Sequence, residues 1–158
     1  MSMSREIKDV VKSVTYNRGI SLLKIKGPGV GFKPGILGDL GHLLGKLGIN
    51  IYSVFTSQTR INLIIDKKDQ KEAHKALSAA SGGIIDKVEV EDNTALVAVV
   101  GNGIQTRKGI AARLFSAVAA ENINVEMISS GASEVASYFI VKNDDVERAV
   151  RAIHHEFF

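Results

Sequence analysis

The sequence predicts an α+β protein made of two ferredoxin-like βαββαβ modules, the first inserted within the second. Three observations carry this. The loop Gly27-Pro28-Gly29-Val30 followed by Gly35-Ile36 returns as Gly101-Asn102-Gly103-Ile104 followed by Gly109-Ile110, each residue 74 positions later. The register continues without a gap through Leu40/Leu114, Ile49/Ile123, Asn50/Asn124, Ile51/Val125 and Val54/Ile128, so a whole strand-loop-helix-strand unit is duplicated. The hydrophobic periods run in the order β-α-β-β-α-β, which closes as four antiparallel strands with two helices on one face. The second copy ends before its fourth strand, while a β-rich segment, residues 10–16 (VVKSVTY), stands unassigned ahead of the first copy. That segment is expected to complete the second sheet. Residues 19–93 then form the first module, and residues 1–18 with 94–158 the second.

Each element has a local reason. Residues 20–26 (ISLLKIK) are a short apolar run closed by the Gly27-Pro28-Gly29 breaker, a strand feeding a tight loop. After Pro34-Gly35, apolar residues at 36, 37, 40, 43, 44 and 47 have the spacing of an amphipathic helix, with Gly48 where a C-terminal cap belongs. Residues 49–57 and 60–66 are β-rich runs joined by a short polar turn, a hairpin. Residues 69–80 carry Ala73, Ala76, Leu77 and Ala80 on one helical face; Ser81-Gly82-Gly83 ends that helix and residues 84–91 return as a strand. The second copy repeats the scheme with strands at 94–100, 123–128 and 134–141, and helices at 109–121 and from Asp144 to Phe158.

Composition bounds the function. With 45% hydrophobic and 23% charged residues the chain can bury a core. Net charge is only +3 despite a pI near 9.2, and the Lys and Arg residues are scattered among acids, which argues against nucleic acid as a partner. Cysteine is absent, so disulfides, thiolate metal sites and a cysteine nucleophile are excluded. No apolar run reaches transmembrane length and the polar start lacks a signal-peptide core. The expectation is an intracellular, cytoplasmic protein with no membrane partner.

No catalytic constellation emerges. The repeated glycines let the backbone approach a ligand while the following helix offers free N–H groups to an anion. Neither loop has the spacing of a dinucleotide fingerprint or of a P-loop. His154-His155 face different directions, and His42 and His74 sit singly on helices with polar faces, so solvated or capping roles are expected and no metal site. Ser129, Ser130, Ser133 and Ser137 cluster without a nucleophile elbow and suit hydrogen bonding to strand edges or a polar ligand. Tyr52, Phe55, Tyr138 and Phe139 do not make the pattern of an RNA-binding sheet.

The string from Gly109 to Glu134, GIAARLFSAVAAENINVEMISSGASE, closely resembles the second ACT domain of aspartokinases. The ending VRAIHHEFF resembles the C-terminus of that family, and VKSVTY near the start is similar to the junction between its catalytic and regulatory halves. The resemblance implies the interlocked topology and an amino-acid-sensing, feedback role in lysine, threonine and methionine biosynthesis. Lysine or threonine would bind between ACT modules across a dimer and damp ATP-dependent phosphorylation of aspartate. No residues here suit ATP and magnesium, so no cofactor is expected in this chain. It would be non-catalytic, either a regulatory region or a separate regulatory subunit serving an aspartokinase catalytic domain. ATP and Mg would belong to that domain.

Carried over residue by residue, the resemblance implies an effector site in the first module at Val30, Lys33, Ile36, Leu37, Ile51, Tyr52, Ser57 and Gln58. A helix N-terminus near Ile36 and Leu37 would take the carboxylate, and strand carbonyls with the Ser57 hydroxyl would accept from the ammonium. Lysine-sensing members resemble one another in having acids where this chain has Tyr52 and Gln58. A lysine side chain would lack a countercharge, and burying it unpaired is costly. Lys33 adds positive charge, so a neutral effector such as threonine, or a first site with altered specificity, is expected. The alternative from another class is a structural dimerisation subunit or scaffold, joined through sheet edges as a homodimer, that binds no effector. An autonomous small enzyme would need a nucleophile or acid-base pair that the sequence does not offer. In the second module, Asn124 and Ser130 are expected to be structural.

Overall fold

The computed structural model describes residues 9–30, 33–80 and 85–158. These form two compact units, Gly19–Asn93 and the residues up to Arg18 with Thr94–Phe158. The strands are β1 (Val11–Asn17), β2 (Ile20–Lys26), β3 (Ile51–Thr56), β4 (Arg60–Asp66), β5 (Lys87–Glu91), β6 (Thr94–Gly101), β7 (Met127–Ser130) and β8 (Ala136–Lys142). The helices are α1 (Ile36–Lys46), α2 (Gln70–Ala79), α3 (Ile110–Ala120) and α4 (Val146–Phe157).

The first unit is an antiparallel sheet in the order β3-β4-β2-β5. Alternate residues of its strands, Leu23 and Ile25 with Ile61, Leu63 and Ile65, bury against Ile36, Leu40 and Leu44 of α1 and Ala73 and Leu77 of α2. Each such Leu or Ile contributes roughly 1.5–3 kcal/mol by leaving water. Of the apolar residues assigned to α1, Leu37 and Leu47 are instead 44% and 38% exposed. Leu37 lies about 100° round the helix from Ile36, and Leu47 falls past the last helical residue. Gly48 does cap α1: at φ 71° its N–H reaches the Gly45 carbonyl (3.0 Å) while that of Ile49 reaches Leu44 (3.0 Å), a Schellman closure. Ile49 is thereby consumed by the turn and β3 starts only at Ile51. Asn122 fills the same left-handed position after α3.

Asp66 caps a short 3₁₀ turn, Lys67–Asp69, by accepting from the Lys68 N–H at 3.0 Å, and α2 follows. Ala80 lies beyond α2 and is exposed, so it adds nothing to the apolar face. His74 takes neither the solvated nor the capping role expected: its partly buried Nε2 is 2.9 Å from the Val88 carbonyl and ties α2 to β5. Strands β2 and β5 are also bridged by Lys24–Glu91 (2.5 Å) and Lys26–Glu89 (2.8 Å). The Ser81-Gly82-Gly83 stop and the start at residue 84 lie outside the described residues; the strand itself begins at Lys87.

The second unit has the order β1-β6-β8-β7, with β1 supplying an edge strand as anticipated. The first module is therefore an insertion between β1 and β6. Gly101 shows how closely the two strands meet, because a Cβ there would lie 1.9 Å from the Val10 carbonyl oxygen; only glycine is tolerated. Val97, Val99, Phe139 and Val141 pack against Ile110, Leu114 and Val118 of α3 and Val146, Ala149, Ile153 and Phe157 of α4. Phe115 meets Phe139 edge to face at 5.6 Å. The C-terminal turn is held by Arg113, whose Nε donates to Glu156 Oε1 (2.5 Å) and whose guanidinium covers Phe157 at 5.5 Å. Strand β7 is shorter than the 123–128 run, because Ile123 is buried in the core before the ladder with β8 begins at Met127. Among the described helices none is long and apolar enough to cross a membrane.

Candidate functional site

In the first unit the loop after β2 and the β3–β4 turn lie against each other. Gly27 N–H donates to the Thr59 carbonyl (3.3 Å), Lys33 N–H to Gly29 (3.0 Å), and Ser57 N–H to Arg60 (2.9 Å). Between them opens a cavity of about 230 Å³ lined by Val30, Lys33, Gly35, Ile36, Leu37, Thr56, Ser57 and Ile61. It is below the roughly 300–1,000 Å³ of pockets for drug-sized ligands and on the scale of one small metabolite.

The chemistry of its wall follows from the backbone. Gly35 caps α1 in the left-handed region at φ 87° and, as a glycine, brings no side-chain cap to the first-turn N–H groups of the helix. Those donors, together with the positive end of the helix dipole, suit an anion. Lys33 is the only charged side chain among the described lining residues, and it has the same sign preference. The lining also includes the hydroxyl-bearing residues Ser57 and Thr56. The apolar floor is Val30, Ile36 and Ile61, all nearly fully buried. The cavity lining thus combines a helix start, one cation, two hydroxyl-bearing residues and hydrocarbon.

Five of the eight residues anticipated from the sequence, Val30, Lys33, Ile36, Leu37 and Ser57, come together here. Ile51 does not; it packs partly buried against the first core. Tyr52 sits at an irregularity in the β3–β4 ladder between Ile51 and Ser53, is 51% exposed, and directs its hydroxyl to Asp66 Oδ2 at 3.5 Å. Gln58 is exposed in the turn and does not line the cavity. Sequence reasoning missed Gly35, Thr56 and Ile61 as lining residues. The signal was present in the hairpin register, since Thr56 and Ile61 are the pair that closes the β3–β4 ladder beside the turn.

Several of the remaining candidates have structural partners. Ser130 and Ser137 hydrogen-bond to Gln105 and to each other, and Ser133 accepts from the Val135 N–H at 3.3 Å. Asn124 is exposed, and His154 stacks on Phe158 at 4.4 Å. Among the described residues no cluster of three His, Asp or Glu side chains could hold a metal ion. A second concavity of about 440 Å³ runs between α3 and α4, edged by Arg148, Arg151 and His155, and holds none of the anticipated effector residues.

Residues 97–157 match the family model described as an ACT domain. The whole pattern extends further. The chloroplastic bifunctional aspartokinase/homoserine dehydrogenase 1 of Arabidopsis thaliana is 28% identical over 94% of this chain, which spans 17% of that relative's length. The ligand-free regulatory subunit of aspartate kinase from Thermus thermophilus superposes with a TM-score of 0.87 at 26% identity, covering 94% of this chain and 99% of that one. The T state of E. coli aspartokinase III in complex with lysine and aspartate superposes with a TM-score of 0.77 at 26% identity, over 94% of this chain and 33% of that one.

Proposed function

We propose that this chain, a pair of ACT modules of the aspartokinase regulatory type, senses a free amino acid and passes its occupancy to an aspartate kinase without catalysing a reaction itself. The observation that carries the reading is the polarity of the first-unit cavity. An α-amino acid presents a carboxylate, an ammonium and a side chain from one carbon. The α1 N-terminus and Lys33 fit the carboxylate, the Ser57 hydroxyl and nearby strand carbonyls fit the ammonium, and Val30, Ile36 and Ile61 fit a short apolar or hydroxylated side chain.

Charge selects among effectors. The described lining holds one cation and no acid, so a lysine side chain would enter with like charge beside it and no carboxylate to pair with. Threonine is favoured over lysine on this ground. Occupancy would draw the loop after β2 and the β3–β4 turn together. It can shift a kinase only to the extent that threonine binds one conformation of the assembly better than another. ATP and magnesium belong, in this reading, to the kinase that the chain serves.

Assembly is the second component. Strands β3 and β7 are sheet edges and expose Tyr52, Val54 and Ile128. Joining such edges between two copies would cover both the unpaired backbone groups and these side chains. If that were the chain's whole role, a scaffold would remain a dimer and bind nothing.

Calorimetric titration with threonine, lysine and methionine separates these readings. Saturable threonine binding that Lys33→Glu weakens is expected. Heat from none of the three, with an intact dimer, would replace the sensor reading with the scaffold.

A further inference from the structure

Among the positions at which the two copies of the repeat differ, one changes how the corresponding space in the second unit is filled. In the first unit the ladder pair Thr56–Ile61 forms a wall of the cavity. Its counterpart in the second unit is the pair Ser130–Ser137, which closes the β7–β8 ladder in the same way. There the space is crossed by Gln105. Its Nε2 donates to the Ala136 carbonyl (2.8 Å) and to Ser137 Oγ (3.2 Å), and its Oε1 accepts from Ser130 Oγ (3.0 Å). Ser130 and Ser137 also hydrogen-bond to each other at 3.1 Å, and Ser137 is 5% exposed. The amide orientation is fixed by chemistry, since a backbone carbonyl can only accept and so must face the NH₂ group. In the first copy the residue 74 positions earlier is Gly31, which has no side chain to do this.

We infer that the second module contains a latent amino-acid pocket held shut by Gln105, whose carboxamide stands in for the ligand. The substitution is specific in its polarity. The carboxamide presents donors to Ala136 and Ser137 and an acceptor to Ser130, so it occupies the hairpin groups that an amino-acid ligand's donors and acceptors would otherwise use. The loop that carries Gln105 is built like that of the first module: Gly109 caps α3 at φ 87°, as Gly35 caps α1, and Arg107 N–H donates to Gly103 (2.9 Å) where Lys33 donates to Gly29 (3.0 Å). The Gln105 side chain is tethered to the chain and is therefore present at high effective concentration beside Ser130 and Ser137. The ligand class is a small zwitterionic amino acid. Identifying it as such rests on the reading of the first cavity as an amino-acid site; the plug itself does not.

Two measurements test this on the full chain. In the wild type, NMR exchange of side-chain amide protons should show Gln105 slower than Gln58, which is exposed in the β3–β4 turn, by about tenfold for one net hydrogen bond. Equal exchange of the two would overturn the plug whatever binds. The second measurement is titration of Gln105→Ala and Gln105→Gly with threonine, serine and alanine, alone and with Lys33→Glu disabling the first cavity. The Ser130–Ser137 hydrogen bond remains in both variants to hold the fold, which circular dichroism checks. A saturable site that appears in the Gln105 variants and persists beside Lys33→Glu supports the proposal. Folded Gln105 variants with the wild-type number of sites overturn it. A wild type that binds nothing while Gln105→Ala binds would reject the first-cavity reading and leave this one standing.

Discussion

Replacing glycine by alanine should have opposite effects at two positions only six residues apart, Gly35 and Gly41, and the sign is set by the backbone alone. Added Cβ atoms meet nothing within 4 Å at either site, so packing does not decide the outcome. Gly41 lies inside α1, where alanine gains about 0.8–1 kcal/mol in helix propensity over glycine. Gly35 has φ 87°, and an L-residue forced there loses about 1–2 kcal/mol, offset by about 0.4–1 kcal/mol of lost freedom in the unfolded chain. The net expectation is a stabilisation of about 1 kcal/mol for Gly41→Ala and a loss of somewhat under 1 kcal/mol for Gly35→Ala. At about 2–4 °C per kcal/mol for a chain of this size, scanning calorimetry should separate the two melting temperatures by several degrees, on either side of the wild type. Threonine affinity should fall in Gly35→Ala, because Gly35 lines the cavity, and stay unchanged in Gly41→Ala. If both substitutions moved the melting temperature in the same direction, the assignment of backbone conformation as the deciding factor would be wrong.

Further outcomes can be checked independently. Lys33→Glu turns roughly 1 kcal/mol of attraction for a carboxylate at the cavity mouth into a similar repulsion, so threonine should bind about thirtyfold more weakly by calorimetry. Leu77→Ala removes a fully buried side chain and should lower stability by about 2–5 kcal/mol in urea titrations, whereas Leu47→Ala, at a 38% exposed position, should stay within about 0.5 kcal/mol. The Lys26 ammonium, and after it that of Lys87, hold the Glu89 carboxyl down from 4.5 to about 2. A carboxyl whose folded value lies below its unfolded one stabilises above the unfolded value and loses that contribution as the pH falls toward the folded one. Wild type should therefore lose more stability between about pH 4.5 and 2 than Glu89→Gln does, and equal losses would show that the pairing has no energetic consequence. Arg113→Ala should cost about 1 kcal/mol by removing both the Glu156 pair and the cover over Phe157, and should raise amide exchange in the last turn of α4.

Much of the fold was legible because the sequence states its central unit twice. A glycine at a left-handed helix cap, a hydrophobic period of 3.6 and a two-strand run each have a local cause, and the constant offset confirmed them against one another. The assignments that moved were those decided by tertiary contacts. Ile49 reads as strand but is spent on closing α1, Ile123 reads as strand but serves the core, and His74 reads as solvated until β5 brings the Val88 carbonyl to it. Five of the residues that the family resemblance implied for an effector site line one cavity, because they flank a helix start and a turn. Ile51, Tyr52 and Gln58 fell outside the cavity for reasons that spacing does not encode: packing against the core, an irregular ladder and an exposed place in a turn. Gln105 escaped notice because its meaning lies in a comparison: the same position holds Gly31 in one copy and a hydrogen-bonding side chain in the other.

The insertion also sets an order of events during folding. β1 and β6 must pair across about 75 intervening residues, and closing an open loop of that length costs roughly 4 kcal/mol in chain entropy by its length dependence alone. The inserted unit removes that cost when it forms first, because β2 and β5 lie side by side, with Leu22 opposite Glu91, and bring the chain's entry and exit together. The β1–β6 ladder then becomes a local event. A destabilised insertion should thus slow the appearance of the second sheet in refolding experiments, although no side chain of that sheet has been changed.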